Sequence, residues 1–129
     1  KIEIVEVSAY WDMTERGVHN LFLGSWGVVT GDADYGLYAM YHSSAKGGAG
    51  NRDFYENEKV DELLDKAKIE IDPETRKKLY EEAQILIVND APDVMLYNRN
   101  LTVGAQKYIK GLGIHPVTLY NFATVYIEE

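Results

Sequence analysis

The stretch LFLGSW at residues 21–26 is largely apolar, and it leads directly into the loop GVVTGD at residues 27–32. A continuous apolar run that is closed by glycine and a polar loop is typical of a strand buried on both faces of a parallel sheet. Ligands of such sheets bind beyond the carboxyl ends of the strands. The sequence therefore predicts an interior strand at residues 21–26 and a working site in the loop after Trp26.

Composition limits the classes of function. The chain has 129 residues, 46% hydrophobic and 26% charged, which is enough for one soluble core. Thirteen basic and 21 acidic residues give a net charge of -8, which argues against a nucleic-acid or anionic-membrane partner. The sequence has no cysteine, and its three histidines lack the spacing of metal ligands, so we expect no disulfide, metal or cofactor.

The first part of the chain predicts a βαβ unit. Residues 1–7 are rich in β-branched side chains and predict a strand. Ser8 is a candidate N-cap for a short helix over residues 8–16, with Gly17 as its end. A second strand follows at residues 19–26, so the two strands are expected to be parallel with a right-handed crossover. Trp11 is expected in the core, whereas the Trp26 ring is expected in either the core or the cleft.

Three helices are predicted after the site loop. Either Asp32 or Asp34 can cap a helix that runs to Tyr41. The glycine-rich residues 42–54 then predict a flexible surface loop. Asn57 caps the next helix, whose apolar stripe comprises Val60, Leu63, Leu64, Ala67 and Ile71. Asp72 and Pro73 begin the last helix, with a stripe of Leu79, Tyr80, Ala83, Leu86 and Ile87. Residues 94–97 and 101–105 predict two further strands.

The sequence also allows two alternatives to a small-ligand-binding protein. Asp32 and Asp34 could form the general acid and base of a carboxylate-dependent hydrolase, although two acids before a helix are more often caps. The predicted helical pair over residues 57–90 could instead be the docking face of an interaction module. Residues 47–50 are glycine-rich but lack the Lys-Ser/Thr pair of a phosphate loop.

Several blocks in order resemble the C-terminal portion of the family 5 extracellular solute-binding proteins. The blocks are GSWGVVTGDADY at 24–35, YHS at 41–43, Asn51, YENEKVDELL at 55–64, DPE at 72–74, LYEEAQ at 79–84, DAP at 90–92 and KGL at 110–112. Members of this family are the dipeptide, oligopeptide, nickel and glutathione receptors of bacterial and archaeal ABC importers. The resemblance implies a receptor fragment and not an enzyme.

The resemblance also implies an architecture and a location. Family members are several times longer, so residues 1–110 would be part of the second lobe of a two-lobed periplasmic-binding-protein-like fold. This α/β lobe would have a mixed sheet flanked by helices, and residues 111–129 would be a tail that returns toward the first lobe. The implied partners are the first lobe, a membrane permease and a peptide-like solute. The implied location is the periplasm or a lipid anchor at the outer face of the cell membrane.

The family also implies a ligand-binding loop. Its peptide-binding members line the cleft with the loop after the matching Trp, and an aspartate three residues after that Trp receives the ligand's ammonium group. Val29 occupies this position here and cannot accept a hydrogen bond. The Thr30-to-Asp34 segment is similar to the glutathione-binding branch, which also lacks that aspartate. The implied ligand-binding residues are Ser25, Trp26, Gly27, Val28, Val29, Thr30 and Asp32.

Overall fold

Helices provide the framework in the computed structural model, which describes residues 1–115, 117 and 120–128. The helices are α1 (Val7–Glu15), α2 (Ala33–Tyr41), α3 (Glu58–Ile69) and α4 (Pro73–Asp90), with a 3-10 turn at Ser43–Ala45. The strands are β1 (Ile109–Lys110), β2 (Gly113–Ile114), β3 (Tyr120–Asn121) and β4 (Tyr126–Ile127). The structure therefore combines helices with small sheets, which agrees with the α/β class in coarse form.

Two predicted caps are confirmed by their hydrogen bonds. The Asn57 Oδ1 atom accepts from the backbone N–H groups of Lys59, at 3.0 Å, and Val60, at 3.3 Å. The Asp72 carboxylate accepts from the Thr75 N–H at 2.8 Å, and Pro73 is the first residue of α4. Because each cap satisfies N–H groups that have no partner inside the helix, both helices begin where the sequence predicts.

The core lies where α3 and α4 pack together and α2 covers them. Its buried apolar residues are Tyr41, Val60, Leu63, Leu64, Ala67, Tyr80, Ala83 and Ile87. Leu79 and Leu86 are half-buried at its edge. The predicted stripes are thus confirmed except at Ile71, which is 91% exposed because α3 ends at Ile69. A capping turn at residues 70–72 then leads the chain into α4.

The shorter helices follow the same local rules. Asp32 is the N-cap of α2, since its Oδ1 atom accepts from the Asp34 N–H at 2.8 Å. The prediction that Ser8 caps α1 is wrong, because the helix begins at Val7 after Glu6 and has no side-chain cap. Gly17 does follow the end of α1, with a φ of 64° that favours glycine.

The predicted strands at residues 1–7, 19–26, 94–97 and 101–105 are wrong. Residue 7 begins α1, and none of the other residues in these ranges pairs as a strand within the described chain. Many of the apolar side chains face solvent instead, with Ile4 94% and Leu21 90% exposed, whereas Phe22 and Trp26 are half-buried. The parallel βαβ unit is therefore absent from the described residues. A strand needs a hydrogen-bonded neighbour, and the described chain places none beside these segments.

The described sheets are two short antiparallel ribbons near the C-terminus. Strand β1 pairs with β4, with Ile109 opposite Ile127, and β2 pairs with β3, with Gly113 opposite Asn121. Gly111 lies between them with a φ of 73°, and a Cβ atom there would meet the Thr124 carbonyl oxygen at 2.0 Å. The chain thus turns back on itself through a position that needs glycine. Residues 116, 118, 119 and 129 of the predicted tail lie outside the described residues.

The helical layer leaves an apolar surface uncovered. Exposed apolar side chains on the outer side of α4 and in the segment that follows it are Ile85, Val88, Val94, Met95, Leu96 and Tyr97. Asp93 accepts a hydrogen bond from the buried Tyr41 hydroxyl at 2.8 Å, which ties the start of this segment to α2. Together these side chains form an exposed apolar surface beside α4. In the described residues, no helix is both long and apolar enough to cross a membrane.

Shortening a buried side chain of α3 should cost more stability than shortening an exposed side chain just after it. Leu64 is fully buried between α3 and α4, so Leu64→Ala is expected to lower the free energy of unfolding by about 2–5 kcal/mol. Ile71→Ala is the matched control, because Ile71 is exposed and should change this free energy by less than about 0.5 kcal/mol. Urea denaturation followed by circular dichroism measures both. Equal losses in the two variants would contradict this account of the core.

Candidate functional site

Trp26 lies outside the α3–α4 core, half-buried against the first turn of α2. Its indole N–H donates to the Tyr35 carbonyl oxygen at 3.2 Å. The rings of Trp26 and Tyr35 are tilted by 31° to each other, with their centroids 5.3 Å apart. The sequence left open whether this ring faces core or cleft. The structure places the ring beside α2, where Trp26 lines a groove.

The loop after Trp26 is a tight turn with exposed side chains. The Val29 N–H donates to the Gly27 carbonyl at 3.0 Å, and the Gly31 N–H donates to the Val28 carbonyl at 3.1 Å. Val28 packs against Gly36 of α2, where an added Cβ atom would lie 3.2 Å from a Val28 methyl group. The exposed candidate residues are Ser25, Gly27, Val29 and Thr30. The turn therefore presents Val29 to solvent while Val28 anchors it.

A groove of about 440 Å³ separates Trp26 from the loop that follows α2. Its lining comprises Trp26, Tyr35, Ala39, Ser44, Ala45, Lys46, Gly47, Gly48, Ala49 and Gly50. Tyr35 and Ala39 are four residues apart on α2, so they share the face beside the indole. The groove thus has one wall from α2 and Trp26 and one wall from the glycine-rich loop. Of the predicted site residues, Trp26 is the one that lines it.

Asn51 anchors the glycine-rich loop, which the sequence predicted to be a flexible connection. Its side chain is fully buried and donates to the carbonyl oxygens of His42, at 3.2 Å, and Tyr55, at 2.8 Å. The side-chain oxygen of Asn51 accepts from the Tyr55 N–H at 3.0 Å. Gly47 is buried, and a Cβ atom there would lie 2.8 Å from the Glu15 carbonyl oxygen. The predicted loop is therefore confirmed, and the structure adds the hydrogen bonds of Asn51 that hold it.

His42 fixes the start of the same loop. It is buried, stacked on Tyr38 with ring centroids 4.2 Å apart, and its Nδ1 atom accepts from the Ser44 N–H at 3.0 Å. The Ser44 hydroxyl lies 2.8 Å from the same nitrogen. The Asp61 carboxylate on α3 accepts from the Ser43 N–H at 2.9 Å. These bonds join the groove wall to α2 and α3.

Asp32 connects the site loop to the helical core through Arg76 of α4. The guanidinium group donates to both carboxylate oxygens, at 2.8 and 3.0 Å. It also donates from Nε to the Ala67 carbonyl oxygen of α3 at 3.1 Å. The hydrogen bonds that Asp32 accepts from Arg76 and from the Asp34 N–H hold the pKa of Asp32 below its ordinary value. Asp32 is therefore ionised at neutral pH and engaged within the fold.

This geometry does not suit the hydrolase hypothesis for Asp32 and Asp34. A general acid needs a raised pKa, whereas the pKa of Asp32 is lowered by Arg76. The pair is joined by the capping bond from the Asp34 N–H to Asp32, which is the structural role that two acids before a helix usually have. Neither residue lines the groove.

Trp11 also departs from its predicted place. Its side chain is 47% exposed, and the Arg52 guanidinium lies 4.4 Å from the ring centroid. Arg52 also donates to the buried Thr14 hydroxyl at 2.5 Å. The ring, on α1, thus contacts the Arg52 cation and is not buried in the core. Across the described residues, no group of three His, Asp or Glu side chains could hold a metal ion.

Sequence reasoning missed Arg76, Asn51 and Tyr35 as parts of the site. The spacing of Tyr35 and Ala39 on one face of the predicted α2 was the available signal for the groove wall. Arg76 lies 44 residues from Asp32, and Asn51 is a buried polar residue inside a polar stretch. Both contacts depend on tertiary packing, which local spacing does not encode.

Relatives with known descriptions match nearly the whole chain, although no family model matches it. The probable D,D-dipeptide-binding periplasmic protein DdpA of Escherichia coli K12 is 31% identical over 97% of this chain and 25% of its own length. The glutathione-binding protein GsiB of Pectobacterium atrosepticum is 33% identical over 89% of this chain and 22% of its own length. GsiB of Salmonella typhimurium is 33% identical over 84% of this chain and 21% of its own length.

The matched relatives are solute-binding proteins, and DdpA is described as periplasmic. They confirm the resemblance to the family 5 solute-binding proteins, and the chain corresponds to a segment of such a protein. It spans about a quarter of the length of the curated relatives it matches. The relatives are described as binding proteins and not as enzymes.

The Arg76 contacts predict a pH-dependent loss of stability. Arg76→Lys removes the two-pronged bond to Asp32, and we expect it to lower the free energy of unfolding by about 1 kcal/mol at pH 7, a value reduced for solvent exposure. Because the pKa of Asp32 is lowered in the folded protein, its contribution is present above the unfolded value of about 4 and is lost as pH falls through the folded value.

Urea denaturation of both proteins at pH 7 and in a series down to pH 2.5 measures this difference. Arg16→Lys is the control, because Arg16 pairs with Asp12 on the exposed surface of α1 and should change little. A constant difference between wild type and Arg76→Lys across the series would show that Asp32 is not the partner responsible.

Proposed function

We propose that this chain is part of the solute-capturing receptor of an ABC importer, and that the receptor binds peptides or peptide-like solutes, including glutathione-like ones. The observation that carries the proposal is the match of 97% of the chain to a D,D-dipeptide-binding relative, together with the matches to glutathione-binding relatives. Both named ligands are small and contain amide bonds. A peptide-like solute is therefore the class that the relatives share.

The geometry around Trp26 supports the position of the ligand site. The side chains of Ser25, Val29 and Thr30 are exposed, and the turn that carries them is anchored by Val28 and Asp32. A rigid turn that displays side chains and backbone beside a groove is typical of a preformed ligand site. We assign ligand contacts to the exposed turn and Trp26. In this proposal Asp32 does not contact the ligand and instead holds the turn in place through Arg76.

The uncovered apolar surface supports a larger protein. Ile4, Leu21 and residues 94–97 are exposed and lie outside the described helices and strands, and another part of the receptor would cover them. We propose that residues 1–110 form part of one lobe and that residues 111–129 return toward the other. The partners are then the remaining receptor and a membrane permease, on the outer side of the cell membrane.

The interaction-module hypothesis rests on the same kind of surface. Ile85 and Val88 are exposed on α4, and Val88 shares a surface depression with Val94 and Met95. Because Val88 adjoins the exposed segment that follows α4, we assign this surface to contacts inside the receptor and not to a separate docking protein.

Calorimetry of the full-length receptor tests the proposed function. The titrants are Gly-Leu, D-Ala-D-Ala and glutathione, with free leucine as a solute that lacks a peptide bond. We expect at least one of the three peptides to bind at least about tenfold more tightly than leucine, which corresponds to one additional well-formed charged hydrogen bond. The absence of binding by all three, or their hydrolysis during the titration, would overturn the proposal.

Val29→Asp tests the role of the turn. The substitution supplies an acceptor and a counter-charge for a ligand α-ammonium group, so the full-length receptor should bind Gly-Leu about tenfold more tightly or better. Val18→Asp is the matched control, because Val18 and Val29 are both 54% exposed and both variants add the same charge. Calorimetry measures each affinity. An equal gain from both substitutions would indicate a general effect of charge and would contradict the assignment of Val29 to the ligand's amino end.

A further inference from the structure

We propose that His42 is a pH-sensitive latch for the glycine-rich loop at residues 43–50, which it holds when neutral and releases when protonated. Histidine is the side chain that ordinarily changes charge between about pH 5 and 8. His42 is buried, with 7% of its surface exposed, and its ring accepts a hydrogen bond from the start of the loop. The proposal concerns the loop itself and does not depend on which solute the receptor binds.

The hydrogen bonds at the start of the loop require a neutral ring at His42. The Ser44 N–H lies 3.0 Å from Nδ1 and can only donate, so Nδ1 must offer a free lone pair. The Ser44 hydroxyl lies 2.8 Å from the same nitrogen. The ring hydrogen is therefore on Nε2, and the Asp65 Oδ1 atom lies 3.4 Å from that nitrogen.

Protonation removes the acceptor on which the loop depends. A positively charged imidazole carries a hydrogen on both nitrogens and accepts from neither. The hydrogen on Nδ1 would meet the Ser44 N–H, which then loses its partner. His42 is also the N-cap of the 3-10 turn at Ser43–Ala45, the first turn of the loop. The charge change therefore removes the cap from that turn.

Two carboxylates of α3 lie close enough to receive the protonated ring. Asp61 Oδ1 is 3.9 Å from Nδ1 of His42, and Asp65 Oδ1 is 3.4 Å from Nε2. Asp61 accepts from the Ser43 N–H at 2.9 Å and from the Ser43 hydroxyl. A charged N–H on Nδ1 would compete with Ser43 for that carboxylate. The loop would thus lose contacts at two consecutive serines.

The other neighbours of the ring hold the backbone of His42 in either charge state. The Asn51 side chain donates to the His42 carbonyl oxygen at 3.2 Å, a bond that does not involve the ring. Tyr38 of α2 stacks on the imidazole, with ring centroids 4.2 Å apart, and the Lys68 ammonium group lies 4.0 Å from the Tyr38 ring centroid. Protonation therefore acts on the loop and leaves the end of α2 in place.

Amide hydrogen exchange of the full-length receptor, followed by mass spectrometry from about pH 8 to about pH 5, tests the latch. Exchange times are scaled for the pH dependence of unprotected amides. We expect the protection of residues 43–50 to fall about tenfold or more toward acid pH, as expected for the loss of a charge-controlled hydrogen bond. The core residues 79–87 of α4 should change less than about twofold.

Two substitutions separate the acceptor from the charge. His42→Asn keeps an oxygen that can accept from the N–H two residues later and cannot be protonated, so the loop should stay protected at every pH. His42→Gln adds one methylene, which moves the amide away from the Ser44 N–H, so the loop should be unprotected throughout. His115→Asn is the matched control, since His115 Nδ1 also accepts from the N–H two residues later, at 3.4 Å, but at an exposed position. It should keep the wild-type pH dependence.

Three results would overturn the latch. They are a wild-type loop whose protection is constant over the pH range, a His42→Asn variant that loses protection as the wild type does, and a His115→Asn variant that abolishes the loss. Protection of residues 79–87 shows that each variant is folded. Because no solute is present in these measurements, a negative result leaves the proposed function standing, and calorimetry tests that function separately.

Discussion

The Arg76 guanidinium group joins the three parts of the molecule on which the site depends. It projects from α4, bonds the last turns of α3 through the Ala67 carbonyl oxygen, and holds both carboxylate oxygens of Asp32. Asp32 in turn caps α2 and ends the turn that follows Trp26. The candidate site is therefore positioned by the α3–α4 core, although none of its exposed side chains lies in that core.

The two walls of the groove are held by different means. Trp26 and Tyr35 are fixed on α2, which the core and the Arg76 contact position. The glycine-rich loop has no regular secondary structure beyond its short 3-10 turn, and the buried Asn51 supplies the hydrogen bonds that its backbone would otherwise lack. A buried amide with several backbone partners fixes a loop because leaving any partner unpaired is costly. Residues 44–50 therefore form a defined wall.

The helices could be predicted from sequence because their determinants are local. Asn57 and Asp72 cap helices through hydrogen bonds to residues two or three positions later, and the stripe that includes Leu64 follows from helical spacing. The apolar run at 21–26 was misassigned because a strand also requires a neighbour, which spacing cannot supply. The apolar run and the resemblance predicted a site at the Trp26 loop, and this stays a prediction. The groove beside the loop depends on tertiary contacts of Asn51 and Arg76, which local spacing does not encode.

The central claim is that the Trp26 turn and its groove form one wall of a site that the rest of a larger receptor completes. Titration calorimetry with the same dipeptide on the 129-residue chain and on the full-length receptor tests it most directly, after circular dichroism has shown that both are folded. The account predicts binding to the full-length receptor and an affinity at least about a hundredfold weaker for the 129-residue chain, because about half of the contacts are lost while the cost of immobilising the solute remains. Equal affinity of the two proteins would show that the site lies wholly within this chain and would contradict the account.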